Sequence, residues 1–437
     1  MGSASSTPSI YLHRFWALAL PACLAGLLQP LASFTDIAVL GRQASVSSVA
    51  AVGLAANYFD IAYLSFGFLR MGTTAWLSHW LAEGNRGAFR QQLVFALSFA
   101  GLASLILLVA FLVGQAFIQV PAELISEFWL YTNLRILGAP FAMLNLVVVG
   151  FLIATERGKL ALGHAFIVHG ANIGLNILAV EVLGYGADGV AFATALSQAL
   201  GVSVGAYLFR DELALGDFLS AYHGDWRSRF LRSLQLNGLL VVRTWLMQSV
   251  FLWAQYSALS QGAVEGAALT IWLRWLAFGS YLLDGLAHGV EGVAAQAHKA
   301  LSLVDFRAWV VRVLVISGSV GALLGCGVIV GGESLHQVVT DNGAVISAAL
   351  NVARFLPLVL FFGGIAYVLD GLSVAFAAGD ALIAMVFFGC IGSLGVATAL
   401  SAPGLTLAVM GLGAFMVGRV LVGSTWVVKL LWQRSKL

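Results

Sequence analysis

Twelve mostly apolar runs, each about twenty residues or longer and divided by short polar breaks, decide what this chain can fold into. A run of that length crosses the ~30 Å hydrocarbon core of a bilayer as an α-helix, a backbone that closes its hydrogen bonds without water. The runs lie at 14–40, 46–70, 91–118, 124–154, 160–184, 187–209, 231–259, 265–296, 309–332, 343–374, 380–401 and 404–432. The expected fold class is therefore an all-α polytopic membrane protein with twelve transmembrane helices. Composition agrees: 60% of residues are hydrophobic and 10% charged, where soluble proteins carry roughly 25% charged. A net charge of +2 without a long basic run gives nucleic acid nothing to hold.

Basic side chains set the orientation, because loops rich in them stay cytoplasmic. One set of loops and both chain ends hold Arg14, Arg86, Arg90, Arg157, Lys159, Arg210, Arg227, Arg229, Arg232, Lys299, Arg307, Arg312, Lys429, Arg434 and Lys436. The alternate loops hold Arg42. Both termini are thus expected in the cytoplasm, which requires an even number of spans. The longest polar connection, 210–230, divides the chain into an N-lobe at 1–209 and a C-lobe at 231–437, six spans each. Weak internal similarity points to repeated halves: Arg135 and Pro140 in span 4 answer Arg354 and Pro357 in span 10.

Polar side chains inside spans are expensive and mark candidate sites. In span 1, Gln29 and Asp36 are seven apart and share a helix face, on a helix that Pro21 and Pro30 should bend. Asp36 reads either as a titrating carrier or as a structural acid paired with an arginine. Asn57 and Asp60 lie in span 2; Asp60 reads equally as a salt-bridge partner of Arg70. Tyr131 fits a cavity wall or an interfacial belt. Asn172 and Asn176, four apart in span 5, and Thr194 with Gln198 in span 6 fit a polar cavity or interhelical glue. In the C-lobe, Asp284 and Asp370 each precede a glycine within an apolar run and are expected to pair with Arg243, Arg274 or Arg354 in a structural charge network, with coupling or gating as the other reading.

Enzyme chemistry finds little support. The eight histidines lack the close spacing of a metal site, Cys23, Cys326 and Cys390 are far apart, and no phosphate-binding glycine loop is present. No metal and no cofactor is expected, and an ion gradient is the remaining energy source. A membrane-embedded enzyme is disfavoured for want of a His or Ser constellation.

From Pro21 to about Arg419 the chain resembles the multidrug and toxic compound extrusion (MATE) transporters, in particular their DinF-type branch. The resemblance rests on Pro21, Gln29, Asp36 and Gly41 in span 1; FLRMGTT at 68–74; Tyr131, Arg135 and Pro140; Asn172 with GVAFAT at 189–194; Asn237 with Arg243 and Thr244; YLLDGLAHGVEG at 281–292; and YVLDG at 367–371. It implies two six-helix lobes related by a pseudo-two-fold axis, facing each other across a cleft that opens alternately. The implied activity is export of amphipathic, cationic organic compounds in exchange for protons or sodium, by a monomer in a bacterial inner membrane whose lipids are its other partners. Asp36 stands at the coupling acid of DinF-type relatives. Gln29, Tyr131, Asn172 and Thr194 match polar positions lining the N-lobe cavity. Some relatives carry a second acid where this chain has Asn176, a departure that favours protons over sodium and a lone titrating Asp36. A lipid-precursor or metabolite exporter on the same fold is the rival reading, against which the scarcity of N-lobe arginines counts.

Overall fold

The computed structural model describes residues 8–43, 46–116, 118, 120, 122–212, 225–338 and 342–434. Among them no strand occurs, and sixteen α-helices form twelve rods. The first six are α1 (Pro8–Gln43); α2 (Val46–Ser65) continued by α3 (Phe68–Ala82); α4 (Arg86–Gly114); α5 (Ile125–Arg135) continued by α6 (Ala139–Ala154); α7 (Gly158–Ala165) continued by α8 (Ala171–Ile177); and α9 (Ala187–Phe209). The second six are α10 (Trp226–Gln261), α11 (Ala263–Ala300), α12 (Leu303–Gln337), α13 (Gly343–Ala353) continued by α14 (Leu356–Ala375), α15 (Gly379–Ala399) and α16 (Gly404–Arg434).

Ten of the rods carry a stretch long and apolar enough to cross a membrane. The other two are α2 with α3, interrupted at Phe66 and Gly67, and α10, whose first two turns carry Arg227, Arg229 and Arg232. The second rod runs to Ala82, well beyond the expected end at residue 70, so FLRMGTT opens α3 instead of closing a span. α1 passes Pro21 and Pro30 as one continuous helix. The described residues form two compact units, Leu24–Asn237 and Met1–Cys23 with Gly238–Leu437, and α1 contributes to both.

Each unit repeats the same local solutions. Rods four and ten both begin with an 11-residue helix, break, and restart with proline in the first turn, Pro140 or Pro357. Proline cannot donate to the preceding turn and its ring clashes there, so the helix has to begin anew. Both rods end alike. Arg157 N bonds Leu152 O at 2.8 Å and Glu156 N bonds Ile153 O at 3.0 Å; 221 residues later Ala378 N bonds Ser373 O at 2.8 Å and Ala377 N bonds Val374 O at 2.9 Å. This helix stop needs a left-handed residue, supplied by Glu156 (φ 57) and Ala377 (φ 51), whereas α3 ends in the same bond pattern at Gly84 (φ 69). A side chain at such a φ costs roughly 1–2 kcal/mol. Ala377→Gly is therefore expected to stabilise the protein by about 1 kcal/mol and Gly84→Ala to destabilise it by a similar amount, read as opposite shifts of the unfolding midpoint in detergent.

Packing inside the units follows the small residues. Gly321 of α12 leaves so little room that a Cβ there would lie 2.1 Å from the Leu360 carbonyl oxygen of α14, and Ser317 Oγ donates to Gly364 O at 2.9 Å across the same pair. In the N-terminal unit Leu77, Phe89, Leu93, Phe95, Met143 and Phe151 form a fully buried wall between α3, α4 and α6. Large apolar side chains such as Leu112, Leu252, Leu323 and Val330 point outward, a liability in water and a match to lipid. At one end of the unit Glu212 bridges Arg86 at 3.6 Å and Arg157 at 3.5 Å. The three connections that carry these residues thus share one side, as up-and-down alternation of the rods requires.

Candidate functional site

The polar interior of the N-terminal unit is built around α8. Two π-helical segments, Phe166–Gly170 and Leu178–Val182, flank it; such widened turns recur at functional positions because they loosen the regular backbone ladder. Asn172 and Asn176 project from α8 into the interior, where both are buried. Asn172 Nδ2 donates to Thr194 Oγ1 of α9 at 3.0 Å and Asn176 Nδ2 donates to Asn172 Oδ1 at 3.3 Å. Thr194 passes its own proton to Val190 O at 2.9 Å. Three residues expected to line a cavity therefore form one hydrogen-bonded trio.

Tyr131 is fully buried on α5, which removes the interfacial-belt reading. Its hydroxyl accepts from Arg135 Nη1, one turn along. The Arg135 guanidinium also lies over the Phe59 ring at 5.1 Å, where the ring face favours a cation. The α1 segment bearing Asp36 belongs to the same unit. The side chains of Gln29, Pro30, Asp36, Asn57 and Asp60 lie outside the described residues.

A second polar cluster sits one helical turn further along α9. Asn145 of α6 gives both amide hydrogens to Gln198, to Oε1 at 2.7 Å and to the backbone O at 2.9 Å. Its Oδ1 therefore faces His164 Nε2 at 3.1 Å, and this nitrogen carries the hydrogen. A lone amide in the otherwise apolar sequence of 139–154 was the signal available for Asn145.

In the C-terminal unit the charge network forms around Asp370. Its Oδ2 accepts from Arg243 and, at 2.6 Å, from Arg419 Nη2; all three side chains are buried, and Arg419 also covers the Tyr367 ring at 5.6 Å. Arg243 and Asp370 are thus brought together as the sequence suggests. Arg419 is the member that sequence reasoning missed, although an arginine deep in an apolar span needs a carboxylate. Arg354 stands apart, exposed and over the Phe355 ring at 5.1 Å. Asp284 faces His288 Nε2 at 3.0 Å on its own helix.

Residues 21–178 match the MatE family. Over 370 residues, 82% of this chain and 79% of the relative, the sequence is 26% identical to "DNA damage-inducible protein F" of Escherichia coli. "Protein DETOXIFICATION 44, chloroplastic" of Arabidopsis thaliana is 26% identical over 453 residues, covering 95% of this chain and 83% of its own. The fold superposes on a structure described as "Crystal structure of MATE in complex with MaL6" with a TM-score of 0.87 at 17% identity, covering 99% and 98% of the two chains. The chain is thus similar to the MatE family over residues 21–178 and to the DNA damage-inducible protein over most of its length, and it shares the polytopic membrane fold of the solved MATE structures.

Proposed function

We propose that this chain is a MATE-type secondary active antiporter that expels amphipathic, cationic organic compounds in exchange for protons, with Asp36 as the proton carrier. The observation that carries the reading is the Asn172–Asn176–Thr194 trio, in the unit that also holds the Tyr131–Arg135 pair and the Asp36 segment. The buried amides and hydroxyl of the trio itself supply weak, exchangeable hydrogen bonds to a bound organic molecule and carry no charge of their own. An intramembrane carboxylate that alternates between protonated and ionised forms then ties substrate release to proton entry. The trio does not itself titrate, so the ion and the substrate answer to different residues.

The inner-membrane location with cytoplasmic termini belongs to the same proposal and is supported by the clustering of basic residues in one set of loops. Pro21 and Pro30 are the points at which α1 would bend between states. The test is efflux of a fluorescent organic cation from proteoliposomes in which the proton and sodium gradients are collapsed separately. Loss of efflux with the proton gradient supports the proposal. Loss with the sodium gradient alone reassigns the ion, and gradient-driven efflux undiminished in Asp36→Asn rejects Asp36 as the carrier.

A further inference from the structure

Helix α9 turns one side to its surroundings and the other to the interior of the N-terminal unit. Phe192, Leu200, Ser203 and Tyr207 mark the exposed side. With ~3.6 residues per turn, Thr194 and Gln198 fall on the opposite side, four apart and hence neighbours at ~5–6 Å. Both are nevertheless only half-buried, so the interior is open at these two positions.

The two ends of the Gln198 amide are told apart by their neighbours. A backbone carbonyl accepts hydrogens and never donates one, so the Asn145 atom 2.9 Å from Gln198 O is its nitrogen. The other hydrogen of that nitrogen goes to the Gln198 side-chain atom at 2.7 Å, which must then be Oε1. Asn145 is held in turn by His164, whose Nε2 donates to its Oδ1 at 3.1 Å, and by Gly201, where a Cβ would lie 2.7 Å from the same oxygen. Asn145 and His164 are both buried. Gln198 Nε2 therefore points away from Asn145, and among the described residues it meets no hydrogen-bond partner. Thr194 and Ser197 spend their hydroxyl hydrogens within their own helix, on Val190 O and Thr194 O. Along this stretch of α9 the available side-chain donor is Gln198.

We propose that Gln198 Nε2 is a specificity-determining hydrogen-bond donor of the substrate site, and that it selects organic cations carrying an acceptor, such as a ketone oxygen, apart from their charged centre. The inference rests on the trio of Asn172, Asn176 and Thr194 being that site. One molecule touching Thr194 reaches Gln198 a single turn away. An amide free to rotate would present oxygen and nitrogen alternately and discriminate little. Locked by Asn145, it presents hydrogens alone, and a ligand without an acceptor leaves them unpaired.

The preference is read by isothermal titration calorimetry on the full chain in detergent micelles. The two probes are (para-benzoylbenzyl)trimethylammonium and (para-benzylbenzyl)trimethylammonium, which differ by a ketone in place of a methylene. The wild type is expected to bind the ketone about fivefold more tightly, the worth of one net hydrogen bond. Gln198→Met, similar in length but without a donor, should bring the ratio to about one. Gln198→Glu, which still accepts from Asn145, should bring it to one or below. Asn145→Leu keeps Gln198 but frees its amide to rotate, and the ratio is expected to fall to about twofold, a change that a merely structural role for Asn145 would not produce. Equal affinity for the two probes in the wild type overturns the assignment, and so does a preference that survives both Gln198 variants. Binding is measured without a gradient. A missing preference beside intact gradient-driven efflux therefore faults Gln198, whereas an intact preference without such efflux faults the antiport reading.

Discussion

Asp370→Ala is expected to cost about 3–5 kcal/mol of stability, the range for breaking a buried ion pair from one side. The reason is arithmetic of charge. Asp370 holds Arg243 and Arg419, all three are buried, and a guanidinium does not give up its proton within proteins. Without the carboxylate, two like charges face each other in a medium where even one arginine costs ~2.5–3.5 kcal/mol at a helix centre. Removing charge from both sides should undo much of the damage, since a well-packed apolar replacement of a buried pair is often neutral. Asp370→Leu combined with Arg243→Met is accordingly expected to recover at least half of the loss, measured as the unfolding midpoint in mixed micelles. If the double variant is no more stable than Asp370→Ala, the three residues are not energetically coupled and the cluster is not what fixes α10, α14 and α16 together.

What the sequence could and could not reveal follows from range. The rods are legible because each is specified by its own twenty or so apolar residues, and the broken rods four and ten because Pro140 and Pro357 act on the turn that precedes them. Asn172, Asn176 and Thr194 were legible as candidates since a polar group in lipid has to find a partner. Their union into one trio was not, because it depends on the register between α8 and α9, which no local pattern encodes. Arg419 illustrates the same limit: its choice of Asp370, 49 residues away, is a matter of helix packing. The π-helical turns around α8 leave no compositional trace. The expected span at 46–70 falls short of the helix, which continues to Ala82, because a charged residue such as Arg70 reads as a boundary in the sequence alone.

Asp36→Asn is expected to reduce gradient-driven efflux at least tenfold, to the level of passive exchange, while substrate binding persists, because asparagine keeps the shape and loses the proton. The stoichiometry sharpens this. Asn176 occupies the position where the family resemblance puts a second acid in some relatives, and it is tied by hydrogen bond to neutral Asn172. Under the proposed mechanism a lone Asp36 would move one proton per cycle, so exchange for a monovalent cation would transfer no net charge. Each pH unit then sustains about a tenfold gradient of substrate, ~1.36 kcal/mol, and membrane potential adds nothing. A carrier with two acids would move one net charge per cycle and gain ~2.3 kcal/mol from 100 mV, roughly a further fiftyfold. Accumulation in proteoliposomes should therefore follow the pH difference and ignore a potassium–valinomycin potential in the wild type. Asn176→Asp, which restores a second carboxylate within reach of Asn172, is expected to introduce voltage dependence and to steepen the response to pH. Voltage-driven accumulation by the wild-type protein would mean that a further titrating group turns over with every cycle.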